Sequence, residues 1–280
     1  MPRDLESEKV RPEWQARTRR RADAPQMTLA GLPPLTKSPA QDNASVDDKD
    51  PGDKLMHDMQ KGRQRDELHP LVQTLNPSYI DDCVKLENAA FAEGQRGSRE
   101  KFIYRLTICG ELCLGLFTTS ESAPGHVATV STSHIVESGA PERKEFLLAM
   151  VSATKTRNEF VSDDDMNVPS NWRDQPYPSN ASVGHQEDGR TIAIHSLAVE
   201  PEVQGRGLGK TLLKAYIQRM QTSGVADRIS ILTYERLVSF YESVGFVNRG
   251  PSKVEYGGGG WVNMVLEFQE TSNGPKKVGE

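Results

Sequence analysis

The chain is 280 residues long, 36% hydrophobic and 26% charged, with a net charge of −5. That length holds one sizeable domain with appendages, and so polar a balance indicates that part of the chain stays outside any core. The acidic balance argues against a nucleic-acid partner, and Cys83, Cys109 and Cys113 form no secreted disulfide framework or metal set and read as buried or half-buried free thiols.

Residues 1–70 carry one aromatic, Trp14, among many Pro, Asp, Lys, Arg, Gln and Ser, and are expected to be a disordered polar tail. The basic cluster at 17–21 is either a docking segment for a regulatory partner or a solvated stretch. The first ten residues lack the apolar core of a signal peptide. The longest apolar run, residues 146–151, is far short of the ~20 residues of a membrane span. A cytoplasmic protein with no membrane partner is therefore expected.

A folded domain is expected over 71–270, followed by a polar tail at 271–280. Asn76-Pro77-Ser78 has the form of a helix start, with Asn as cap and Pro in the first turn. Ile80, Cys83, Val84, Leu86 and Phe91 follow at helical spacing. A second helix is predicted over 98–106, and strands over 112–117 and 146–154. Long polar insertions fall near 119–145 and 158–190. The first has a β-prone middle at 126–136, left open. The second holds the acidic run Asp163-Asp164-Asp165, three prolines, Phe160, Trp172 and Tyr177. This run reads either as a cation-recruiting patch or as a solvated loop.

Residues 191–199 form a nearly unbroken apolar strand interrupted by His195. The turn Gln204-Gly205-Arg206-Gly207-Leu208-Gly209 leads into a helix bearing Leu212, Leu213, Tyr216, Ile217 and Met220 and closed by Gly224. A strand at 229–233, a helix at 235–244 stopped by Gly245, and strands at 246–249 and 261–268 complete the pattern. Strands alternating with helices indicate an α/β domain around a mixed sheet. The glycine turn suits an anion at a helix N-terminus, although tight turns need glycine regardless. It lacks the Lys-Ser/Thr ending of a P-loop and the acidic ribose partner of a dinucleotide fold.

The turn resembles the Gln/Arg-x-x-Gly-x-Gly/Ala signature of the GNAT acetyltransferase superfamily. The preceding strand and Phe240-Tyr241-Glu242-Ser243-Val244-Gly245-Phe246 also fit it. Within the superfamily the chain is similar to the arylalkylamine (serotonin-type) N-acetyltransferase family, through Leu86-Glu87-Asn88-Ala89-Ala90-Phe91, the stretch from Leu106 to Phe117, and His195-Ser196-Leu197-Ala198-Val199. The resemblance implies a mostly antiparallel central sheet flanked by helices. It also implies acetyl-CoA as co-substrate, no metal, and a small primary amine as acceptor.

It implies roles for particular residues too. Leu197 would hold the thioester oxygen through its backbone, and Ala198 and Val199 would pair with the pantetheine arm. Gln204, Gly205, Arg206, Gly207, Leu208, Gly209 and Lys210 would cradle the pyrophosphate. An alkylammonium must lose a proton before it attacks, which calls for a base. His195 matches the family's catalytic strand and otherwise reads as a structural histidine. The family's second histidine is replaced by Ala193, so water or Glu87 would substitute. Glu87 is a second base, an amine-binding carboxylate, or part of a solvated helix face. Tyr241 matches the general acid, although by pattern alone it would be core. Phe91, Ile194, Leu232 and Trp261 would form the acceptor pocket or fill the core. Two other readings remain: acetylation of a polyamine or a protein lysine, and a catalytically idle coenzyme A-binding interaction protein.

Overall fold

The expected mixed sheet, mostly antiparallel and flanked by helices, is present in the computed structural model, which describes residues 70–121, 126–136, 142–178 and 180–269. The tails expected at 1–70 and 271–280 lie outside the described residues, apart from position 70. The chain enters as an edge strand, β1 (Leu71–Thr74). Asn76 Oδ1 then accepts from the Ser78 N–H at 2.8 Å, and a 3-10 turn at Pro77–Tyr79 opens α1 (Ile80–Ala90). Ser98 caps α2 (Arg99–Ile108). The sheet continues with β2 (Leu114–Ser120), the two-residue β3 (His134–Ile135) and β4 (Lys144–Thr156).

The second half follows the expected alternation. β5 (Thr191–Val199) is followed by the long α4 (Leu208–Ser223), which ends at Gly224 in the left-handed region with φ 65°. β6 (Arg228–Thr233), β7 (Val247–Pro251) and β8 (Val262–Glu267) complete the sheet. The helix expected at 235–244 is shorter, a 3-10 turn at Glu235–Leu237 running into Val238–Glu242. The strand order is β1-β2-β4-β5-β6-β8-β7, with β3 on β4. Every pair is antiparallel except β5 with β6.

Two helical layers cover the sheet. On one face α4 buries Leu212, Leu213, Tyr216 and Met220 against Leu114, Leu148, Ile192, Ile229 and Ile231. On the other, Cys83 and Leu86 of α1 and Phe102 and Leu106 of α2 pack on Phe117, Leu147 and Met150. All three cysteines are buried and free, as expected. The 119–145 insertion contains a 3-10 turn at Ala128–Ser131 and β3.

The 158–190 insertion is anchored rather than loose. Trp172 stacks edge-on against Tyr104 and donates to Glu100 at 2.9 Å, and the Tyr104 hydroxyl accepts from the His185 N–H at 2.8 Å. Its acidic run is helical rather than a loop, with Asp163 and Asp164 exposed to solvent. It forms a one-turn helix, Asp163–Met166, in which buried Asp165 completes a capping box with Ser162. Asp163 accepts from the backbone N–H groups of Glu255 and Tyr256. Numbering by residue range, this short helix is α3, and Val238–Glu242 is α5.

One buried hydrogen bond ties α4 to the 3-10 turn Gly110–Leu112 that precedes β2. The Tyr216 hydroxyl, fully buried, donates to the Leu112 carbonyl at 2.9 Å. Removing it leaves a buried carbonyl unpaired, a loss of about 1–3 kcal/mol. Tyr216→Phe is therefore expected to lower the unfolding free energy by that amount, seen as a lower urea midpoint with an unchanged denaturant slope.

Candidate active site

β5 is the central strand, and it is irregular where it carries His195. Against β4 the register steps from Ser196↔Ser152 directly to Ile194↔Ala153, which leaves His195 as the extra residue of a β-bulge. The bulge resets the alternation of faces. Ile192 and Ile194 point into the α4 side of the core, but beyond the bulge it is Leu197 and Val199 that pack there. Ser196 and Ala198 turn toward α1 and α2, where Ser196 meets Glu87 and Ala198 joins the core.

β5 also leaves its neighbour. Its parallel pairing with β6 covers only Thr191↔Arg228 to Ile194↔Ile231, although β5 runs on to Val199 and β6 to Thr233. Among the described residues no strand covers the β6-facing edge of β5 beyond that point. A cavity of about 120 Å³ opens at the divergence. His195, Tyr241 and Glu87 all line it. So do Phe91, Ile194, Leu232 and Trp261, joined by Ser196 and Leu197.

His195 is half-buried, and both of its ring nitrogens are engaged. Nε2 lies 2.8 Å from Thr154 Oγ1 on β4, and Nδ1 lies 3.1 Å from Met166 Sδ of the insertion. Burial, with the nearby Arg105, Lys101 and His185 charges, holds the imidazole pKa well below its ordinary value. That shift favours the neutral ring. Glu87 is not on a solvated face. It is 3% exposed and accepts from Ser196 Oγ at 2.6 Å and from the Gly97 N–H at 2.9 Å. Burial raises its pKa, and those two hydrogen bonds oppose the rise. Tyr241 is buried, which pushes its phenol pKa well up. Thr233, on the same wall, stands beside the phenol and opposes that rise.

The glycine turn stands at the far end of β5, just before α4. Gly205 and Gly207 take positive φ of 76° and 82°, and the space around each would admit a Cβ, so their requirement is conformational. Gly209 serves packing instead, because a Cβ there would lie 3.1 Å from Val199 Cγ2. The Gln204 side chain folds back to donate to the Val199 carbonyl at 3.0 Å. Gly207 caps α4 with no side chain, and the first turn, containing Leu208, Gly209 and Lys210, holds no acidic residue. No side chain caps the N–H groups at this end.

A family model described as "Acetyltransferase (GNAT) domain" matches residues 128–268. The chain belongs to the GNAT acetyltransferase domain family. Two curated relatives are similar to it over part of their length. A serotonin N-acetyltransferase of Mesocricetus auratus is 30% identical over 32% of this chain and 44% of its own. Another, of Macaca mulatta, is 24% identical over 36% of this chain and 50% of its own. The chain thus spans about half the length of the curated relatives it matches. Among solved structures, the loading GNATL domain of CurA from Lyngbya majuscula aligns with a TM-score of 0.48 and 13% identity, over 72% of this chain and 98% of that one.

This GNAT site includes residues that sequence reasoning passed over. Thr154 and Met166 hold the two nitrogens of His195. Tyr234 stacks on Trp261 with centroids 4.3 Å apart, and Gln95 donates to its hydroxyl at 2.7 Å. Tyr256 lines the cavity and lies beneath Lys101, whose ammonium sits 4.3 Å from the ring centroid. Burial and Arg105 lower the Lys101 pKa to about 8. Arg105 is itself 2% exposed and donates to the Met166 carbonyl at 3.4 Å. None of these residues carries a local motif, and the insertion that supplies Met166 is polar and irregular in sequence.

The Glu87 environment has a measurable consequence. A carboxyl whose folded-state pKa is raised contributes stability below its unfolded value, near 4.5, and loses it as pH rises through the folded value. Relative to Glu87→Gln, the wild type should therefore become progressively less stable as pH climbs above 4.5. Urea unfolding of both proteins between pH 4 and 8 measures this difference, and parallel curves would contradict it.

Proposed function

We propose that this GNAT domain transfers the acetyl group of acetyl-CoA to a small primary amine, with an arylalkylamine as the acceptor, by direct attack in a ternary complex. One observation carries the reading. Residues far apart in sequence, namely Glu87 and Phe91, then Ile194 and His195, then Leu232, Tyr241 and Trp261, line one cavity where β5 and β6 part. The cofactor side is supported by the open edge at Leu197, Ala198 and Val199 and by the uncapped start of α4. Gln204 to Lys210 would hold the pyrophosphate there. Acetyl-CoA supplies the activated acetyl group.

The chain's own residues do the rest. The Leu197 backbone would hold the thioester oxygen. His195, neutral at working pH, takes the proton that the alkylammonium must lose, directly or through water, and Glu87 is a second acceptor. Tyr241 keeps its proton to well above neutrality and returns one to the departing thiolate. Phe91, Ile194, Leu232 and Trp261 give the acceptor an apolar, aromatic wall. The cavity's one lining carboxylate is Glu87, while Arg236 also lines it and Lys101 and Arg105 stand close behind. That balance disfavours a polyamine or a lysine-rich peptide.

Purified protein with acetyl-CoA and a panel of tryptamine, phenylethylamine, spermidine and a lysine peptide, read by coenzyme A thiol release, tests the reading. Turnover is expected on the aryl amines. His195→Ala and Tyr241→Phe should each lower kcat, by about 10²–10⁴-fold for a lost acid–base group. The wild-type kcat should fall with acid only below pH 6.5, because the lowered pKa of His195 keeps the ring basic down to there. Acetyl-CoA binding without turnover of any amine would instead point to an idle coenzyme A-binding protein.

A further inference from the structure

The charges around the acceptor cavity do not match a plain amine. Among the described residues, Arg236, on the 3-10 turn Glu235–Leu237, is the one Lys or Arg in the cavity wall. Its guanidinium carbon lies 4.9 Å from the ring centroid of Tyr234. That ring is itself fixed, by the Trp261 stack at 4.3 Å and by Gln95, which donates to its hydroxyl at 2.7 Å. The ring holds the guanidinium at the cavity without cancelling its charge. Among the described residues no carboxylate forms an ion pair with Arg236.

Two more cations stand behind the wall, on α2. Lys101 sits 4.3 Å from the Tyr256 ring centroid, and buried Arg105 donates to the Met166 carbonyl. The wall's own carboxylate, Glu87, is taken up by Ser196 and the Gly97 N–H, and burial pushes it toward its neutral form. Glu93, Glu235 and Glu255 on the surrounding turns face solvent and are not part of the wall. Asp163 is held by the N–H groups of Glu255 and Tyr256. An ammonium that enters alone therefore meets like charge, at a cost that partial burial enlarges.

We propose that the preferred acceptor is an aromatic amine that also carries a carboxylate, which Arg236 binds while the amine lies at His195. The inference rests on the reading of this cavity as the acceptor site. A guanidinium matches a carboxylate with two parallel hydrogen bonds. The bound carboxylate also cancels the positive field that opposes the ammonium. It stands either beside the amine, as in an aromatic amino acid, or across the ring from it, and the chemistry is the same. The carboxylate makes and breaks no bond. The amine nitrogen bonds the thioester carbon, and the C–S bond breaks with its electron pair going to sulfur. Of the two N–H protons lost, one ends on the coenzyme A sulfur and one in solvent.

The test compares tryptophan with tryptamine, and para-(aminoethyl)benzoate with phenylethylamine, in the wild type, Arg236→Gln and Arg236→Glu. Arg236 is exposed, so both substitutions spare the core. The wild type should favour at least one acid over its parent amine by about tenfold or more in kcat/KM, the scale of a charged hydrogen bond. Preference for tryptophan puts the carboxylate beside the amine and preference for the benzoate puts it across the ring, and either supports the proposal. Arg236→Gln should remove the preference through the KM of the acid. Arg236→Glu should invert it by drawing in the plain amine. The acetyl-CoA KM should hold in both. Equal kcat/KM within both pairs in the wild type, or a preference that survives both substitutions, would overturn this inference alone. A raised acetyl-CoA KM in place of a lost preference would also overturn it, since the guanidinium would then serve the cofactor. Turnover of none of the four amines would instead defeat the underlying reading of the cavity as an acceptor site.

Discussion

β5 has to serve two incompatible ends, and the site grows from how it does so. As the central strand it must be paired and packed on both faces to hold the two halves of the sheet together. Yet its last residues must also keep one edge bare. The chain resolves this by ending the parallel pairing at Ile194 and carrying β5 on alone to Val199. The bulge at His195 sits at the first residue beyond that pairing. It reverses which side chains face which layer, so Ser196 can bond Glu87 while Leu197 and Val199 keep the α4 side packed.

That geometry separates two chemistries along one strand. At the C-terminal end lie a β5 edge that no strand pairs among the described residues, positive-φ glycines and the start of α4, which the proposed function gives to coenzyme A. At the bulge lie buried titratable groups and aromatic rings. Burial moves each titratable group toward its neutral form: His195 down, Glu87 and Tyr241 up.

Much of this was legible in the residues. The helix starts at Asn76 and Ser98 follow local rules, as does the glycine stop at Gly224, and the structure repeats them. The strand at 191–199 was marked by its apolar run. The bulge was not, because it is set by register against β4, which lies some forty residues earlier in the chain. Glu87 could not be told from a solvated residue on its helix, since its burial depends on Ser196 and Gly97 arriving from elsewhere. In the run Asp163-Asp164-Asp165 the charges suggest solvent, and Asp163 and Asp164 are exposed, but the burial of Asp165 comes from its capping box with Ser162, which the charges do not announce. Thr154 and Met166 had no signal of their own.

The central claim is that the bare edge of β5 and the start of α4 together receive coenzyme A. Amide hydrogen exchange with and without saturating coenzyme A tests it most directly. Protection should appear at Leu197 to Val199 and at Gly205 to Lys210, and leave the strand interior at Thr191 to Ile194 unchanged. Coenzyme A that binds without slowing exchange at either segment would contradict the account.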